Sequence, residues 1–171
     1  MRSTIRALTA GALLAIATAT AGSAASPTII SIPPVDYLDP FVCDADPVIH
    51  VTYTGPFRLT LFKDAAGNVT RDAITAPGVR VVLTDEATGR SLSGASPAVF
   101  RTTYDASGSI DRLTVNGLNA AITVPGHGLV LLDTGRIVWA LGFQGPVLQE
   151  RGPHAWLGSG DAEAFCGWFR D

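Results

Sequence analysis

Three histidines, His50, His127 and His154, are the side chains of this 171-residue chain best suited to move protons near neutral pH. None stands at an H-x-H or H-E-x-x-H spacing, so no zinc ligand set is formed and no metal is expected. His50 lies in an alternating stretch, Val48 to Thr54, where Ile49, Val51 and Tyr53 share one face and His50, Thr52 and Thr54 the other. If the polar face lines a cavity, His50 and Arg58 are the candidates for acid and base work; otherwise His50 is a solvated strand residue. His127 occupies a turn, Pro125-Gly-His-Gly128, from which it would touch a ligand. Cys43 and Cys166 stand alone, outside any C-x-x-C motif, which leaves redox catalysis without support. In an oxidising compartment such a pair is expected to form a disulfide closing nearly the whole domain.

The stretch Val130-Leu-Leu-Asp133-Thr134-Gly135 resembles the Asp-Thr-Gly loop of aspartic proteases, in which two neighbouring carboxylates share a proton. One such triplet is present, so a symmetric homodimer would have to supply the second, and Arg136 stands where that family has a small residue. A tight hairpin between Leu129 to Leu132 and Arg136 to Phe143 accounts for the same residues by turn chemistry and is the preferred reading. Asp44 and Asp46, with Asp36 and Asp39 nearby, offer oxygens of the kind calcium takes, but no EF-hand spacing accompanies them, and solvated turn residues are expected instead. No G-x-S-x-G elbow, P-loop or dinucleotide fingerprint occurs, so no cofactor is expected. Asn68-Val-Thr70 forms a glycosylation sequon, which matters only in a eukaryotic source.

The elements that would position these groups are mostly strands. Composition is 47% hydrophobic and 16% charged with 18 Gly and 11 Pro, which excludes a disordered chain and favours many turns over long helices. Residues 1–25 carry Arg2 and Arg6, an Ala- and Leu-rich apolar run and small residues at Ser23 and Ala25, the pattern of a cleaved secretory signal. Its removal takes the net charge from −3 to −5 and leaves no membrane anchor; the remaining basic residues are scattered, so nucleic acid is not an expected partner. Residues 26–46, with Pro27, Pro33, Pro34 and Pro40, read as an extended lead-in, and 47–171 as one domain.

Period-two runs continue through Phe57 to Lys63, Val69 to Thr75, Val79 to Thr84, Ala98 to Tyr104, Ile110 to Val115, Leu118 to Val124, Leu129 to Leu132 and Arg136 to Phe143. Ser91 to Gly94 and Val147 to Arg151 are shorter additions. Asp64, Asp85 and Asp105 each begin an Asx-type turn that ends near a glycine. The expected fold is therefore all-β: an antiparallel β-barrel of about 8 to 10 strands, with a β-sandwich as the alternative. A short C-terminal helix, capped by Ser159 and running from Asp161 to Phe169, would present Phe165, Trp168 and Phe169 as an apolar stripe.

Several features together resemble small secreted β-rich proteins of actinobacteria. They are the leader, a Cys before the first strand, Ile74 to Thr84 with Ala87 to Arg90, Tyr104 to Ser109, Leu131 to Arg136 and a closing Cys. That resemblance implies secretion and a β-rich fold, and it carries no activity; the stretch Pro146 to Gly160 departs from it. With no catalytic constellation, the leading expectation is a secreted, non-enzymatic binding protein for a small apolar ligand or an extracellular protein surface. Trp139, Trp156, Trp168, Phe143 and Tyr104 are the aromatic side chains available to line such a cavity, the simpler reading being that they belong to the core. The alternatives are a barrel enzyme of the cyclase/isomerase or dirigent-like type, and a protease inhibitor presenting Gln144 to His154 as a rigid loop.

Overall fold

The computed structural model describes residues 26–39, 43, 47–124, 126–158 and 162–170. The expected leader, Asp44, Asp46, Pro125, the Ser159 cap and Asp161 lie outside them. Among the described residues there are eleven strands and one helix, and every strand pairing is antiparallel.

The sheet is organised around β9 (Ile110–Val124). One edge of β9 pairs along most of its length with β10 (Gly128–Ala140), which carries β11 (Val147–Arg151) on its far side. The other edge forks. Its first part pairs with β8 (Val99–Tyr104), and Ala121 and Ile122 pair with β7 (Ser91–Ala95). Two branches leave this fork. One runs from β8 through β5 (Val69–Thr75) and β4 (Phe57–Lys63) to β1 (Thr28–Ile32); the other runs from β7 through β6 (Arg80–Asp85) and β3 (Ile49–Thr54) to β2 (Asp36–Asp39).

This arrangement corrects the barrel expectation. The branches end at β1 and β2, which do not pair with each other, so the sheet is not closed. The lead-in also contributes two edge strands rather than standing apart from the domain. Pro33 and Pro34 fall in the connection between them. There their missing N–H groups cost no ladder hydrogen bond, and the chain steps from one branch to the other.

A second correction concerns strand length. The runs 110–115 and 118–124 are one strand, and 129–132 and 136–143 merge into β10, which ends at Ala140. Gly135 is not a hairpin residue: a Cβ there would lie 2.1 Å from the Arg151 carbonyl oxygen, so the glycine permits close backbone approach. Gly117, with φ +96°, likewise sits inside β9 just before a register shift opposite Asp133 and Thr134. The expected Asx turns are present: Asp64 accepts from the backbone of Ala66 and Asn68, Asp85 from Ala87, and Asp105 from Ser107 and Ser109.

Alternation decides what faces inward. Ile49 and Val51 of β3, Val81 and Leu83 of β6, and Ile122 and Val124 of β9 form one buried cluster with Leu131 and with the helix α1 (Glu163–Arg170). Phe165 and Phe169, four residues apart on α1, are buried with rings 5.1 Å apart, while Trp168 is only partly buried. The Arg90 guanidinium donates to the Trp168 carbonyl at 2.9 Å near the helix C-terminus. Cys166 on α1 is bonded to Cys43, with Cα atoms 5.5 Å apart across 123 residues of sequence. A smaller cluster of Ala98, Leu113, Val115, Ile137 and Trp139 occupies the other side of the fork.

Candidate functional site

Between the two branches lies a cavity of about 690 Å³. Its walls come from both: Tyr37 and Asp39 of β2 and Tyr53 of β3 on one side, and Phe57, Ile74 and Phe100 of β4, β5 and β8 on the other, with Ile32 of β1. Trp139 of β10, Phe143, Trp156 and Leu157 complete the wall, with Ser96 and Asn119 at the fork. Seven of these fourteen residues are aromatic. Val35, Tyr37 and Phe143 are 40%, 41% and 55% exposed and form the rim where the cavity meets solvent. The size falls within the roughly 300 to 1,000 Å³ typical of small-molecule sites.

Asp133 is the side chain that places Trp156. It is fully buried, and its Oδ2 accepts from the backbone N–H of Trp156 at 2.9 Å and of Leu157 at 2.6 Å. Its Oδ1 lies 3.1 Å from Nδ1 of the buried His154, whose Nε2 lies 3.2 Å from the Arg151 carbonyl oxygen. A carboxylate held by this many donors is a fixed anchor. Its effect is to fold residues 152–157 back along β10, where the Thr134 amide also donates to the Pro153 carbonyl at 2.8 Å. Trp156 then reaches across the cavity, and its Nε1 donates to Asp39 Oδ2 at 2.8 Å. The Asp-Thr-Gly triplet thus serves here as an internal latch, and it lies within a strand rather than in a hairpin.

Polar groups in the wall are few. The Tyr37 and Tyr53 rings stack with centroids 6.5 Å apart, and their hydroxyls are hydrogen-bonded to each other. Loss of water around its hydroxyl pushes the Tyr37 phenol up to about 12, and the Asp39 charge adds to this. Because 41% of Tyr37 is open, that desolvation is local to the hydroxyl end. Burial, and then the neighbouring Tyr37, raise Tyr53 as well. Both phenols therefore remain protonated donors at neutral pH. Asn119 is 2% exposed, and its Nδ2 has no hydrogen-bond partner among the described residues.

The structure distributes the sequence candidates unevenly. Trp139 and Phe143 line the cavity, their rings edge to face at 5.0 Å. Tyr104 does not line it: its hydroxyl donates to Asp72 Oδ2 at 2.5 Å, and burial, then that bond, push it up to about 12. His50 and Arg58 lie outside the cavity wall, because alternation turns them away from Val51 and Phe57. His50 contacts Asp36 through Nε2 and Glu86 through Nδ1, the latter at 2.9 Å. The Asp36 hydrogen bond is the main reason its pKa lies above the ordinary value; lost hydration partly offsets it. His127 is exposed in the β9–β10 turn, also away from the wall. Residues 147–151 of the supposed inhibitory loop form β11, and His154 is buried, so Gln144 to His154 is not one exposed loop. No group of three His, Cys, Asp or Glu side chains converges among the described residues.

Sequence reasoning missed Asn119, Tyr37 and Tyr53 as wall residues. Tyr53 was legible in principle as the third inward residue after Ile49 and Val51. Asn119 interrupts an apolar run, Leu118 to Val124, and a polar residue inside such a run is the one signal it leaves. Comparison with family models, curated proteins and solved structures finds no match for the chain.

Proposed function

We propose that the protein acts outside the cell as a non-enzymatic binder of a small, largely apolar molecule held between the two branches of the sheet. The observation that carries this reading is the cavity: an aromatic wall of ligand size, open at an apolar rim, with a handful of oriented polar groups. Aromatic side chains offer broad apolar contact at little conformational cost. The leader-like segment and the Cys43–Cys166 bond are compatible with an exported protein. No helix among the described residues is long and apolar enough to cross a membrane. We infer in addition that the two branches act as the halves of an open sandwich around the ligand.

Tryptophan fluorescence provides the test, since Trp139 and Trp156 both line the cavity. Titration with naphthalene-sized apolar compounds should give a saturable change and raise the melting temperature by mass action. Absence of both responses across such a panel would remove the proposal. A second reading, chemistry on a bound apolar molecule, draws on Asp39 and the Tyr37–Tyr53 pair in the same wall. It would show as turnover of a bound compound that Tyr53→Phe slows without weakening its binding.

A further inference from the structure

The outer face of the sheet around β9 carries charge that the core does not use. Across β4, β5, β8, β9, β10 and β11 the register aligns outward residues in three rows. Arg58, Asn116, Arg136 and Arg151 share one row, Arg101 and Thr114 the next, and Arg71, Thr103 and Arg112 the third. They alternate with buried residues such as Leu113, Val115 and Ile137, so they point away from the core and the cavity. Arginines scattered along the sequence are thus gathered on one face. There are six of them, with no Asp or Glu in the three rows, in a chain whose net charge is −3. Arg136 and Arg151 stand directly opposite each other, a like-charge pairing that disfavours the sheet.

The centre of this face is a groove of about 350 Å³, lined by Arg101, Arg112 and Arg136 with Thr103, Thr114 and Asn116. Thr114 sits in the middle: Arg101 is opposite it on β8, Arg112 two residues before it on β9, and Arg136 diagonal to it on β10. Three guanidinium groups therefore border one space from three sides. Among the described residues none of the three makes an ion pair or a side-chain hydrogen bond. The carboxylate at the border, Asp111, accepts from the Thr103 hydroxyl at 3.3 Å. We propose that this groove is a binding site for a phosphate or sulfate monoester, separate from the apolar cavity and independent of it. A planar carboxylate holds its two oxygens in one plane and satisfies one arginine fork. A tetrahedral monoester turns three acceptor oxygens outward, one for each side of the groove. Thr114 and Asn116 add a hydroxyl and an amide donor. Arg58, Arg71 and Arg151, beyond the groove on the same face, suit a ligand bearing more than one such group.

Two probes with the same number of charges on a six-membered ring separate oxyanion shape from charge: inositol hexasulfate and mellitate, the benzene hexacarboxylate. In calorimetry on the full-length protein the hexasulfate should bind about tenfold or more tightly than mellitate. Arg112→Gln should weaken hexasulfate binding about fivefold or more, and Arg80→Gln, which removes an exposed charge from β6 on the other branch, by less than about twofold. Arg101→Gln serves if the Arg112 variant does not fold, and the comparison of the two probes needs no variant. Sedimentation with phosphatidylcholine vesicles, with and without phosphatidic acid, separates the sources of the group. Retention on the acidic vesicles that Arg112→Gln lowers supports the site with a lipid headgroup as its ligand. Hexasulfate binding without retention supports it with a free one. Equal binding of the two probes, equal losses in Arg112→Gln and Arg80→Gln, retention that Arg112→Gln leaves unchanged, or no binding of the hexasulfate would overturn the site and leave the reading of the cavity as it stands.

Discussion

Two ends of one interior are built by the same alternation and finished differently. On β3 a single inward row, Ile49, Val51 and Tyr53, runs from one end to the other. At the Ile49 end, α1 brings Phe165 and Phe169 into the space between the strands, and the Cys43–Cys166 bond fastens it there. At the Tyr53 end no helix among the described residues enters, and aromatic side chains border a cavity instead. Inward-facing residues therefore do not by themselves make a filled core. What separates core from cavity is whether another part of the chain arrives to occupy the volume.

That contrast can be broken at either end. The largest effect is expected from separating α1 from its anchor. Cys43→Ser with Cys166→Ser should cost roughly 4 to 5 kcal/mol by the loop-closure argument. In a thermal scan this reads as a fall in Tm of roughly 10 to 20 °C. Phe165→Ala empties a fully buried site on the filled side and should cost about 3 to 5 kcal/mol, read as a lower urea midpoint with little change in slope. Phe143→Ala, at the half-exposed rim, should cost under about 1 kcal/mol of stability yet weaken binding of an apolar probe several-fold. If Phe165→Ala and Phe143→Ala lose equal stability, the distinction between a filled and an open end fails.

The smallest effect concerns the outer face. His50 is held above its ordinary value near 6.5, first by the Asp36 hydrogen bond and then by the charges of Asp36 and Glu86. A histidine raised in this way favours the fold when protonated. Its contribution is fully present below about pH 6.5 and is lost as pH rises through the folded-state value. The Tm difference between the unsubstituted protein and His50→Gln should therefore be larger at pH 6 than at pH 9. Probe binding should be unaffected by the substitution, because His50 does not line the cavity.

Much of this architecture was legible in the sequence, and the exceptions have a common cause. Strands β3 to β8 announce themselves by alternation, and Asp64, Asp85 and Asp105 mark their turns through local hydrogen bonds. Gly135 reads as a turn because glycine permits both a turn and a close backbone approach. Only the arrival of Arg151 beside Gly135 decides between them. The Asp133–His154 contact spans 21 residues, and the Trp156–Asp39 bond 117, so neither is written in any local pattern. Closure of the sheet was misjudged for the same reason: strand alternation is local, whereas whether β1 meets β2 depends on how both branches leave the fork. Of the aromatic residues expected to line a cavity, Trp139, Phe143 and Trp156 do and Tyr104 and Trp168 do not, because which rings face the same void depends on the register.

The central claim, that one end of the interior is open to an apolar ligand and the other is filled, has an internal control in the three tryptophans. Trp139 and Trp156 line the cavity, and Trp168 sits on α1 at the filled end, stacked under Arg90. In a nitrogen-15 NMR titration with 2-acetylnaphthalene, the indole N–H signals of Trp139 and Trp156 should move and saturate together while that of Trp168 stays in place. Movement of Trp168 alone, or no movement of any of the three, would contradict the account.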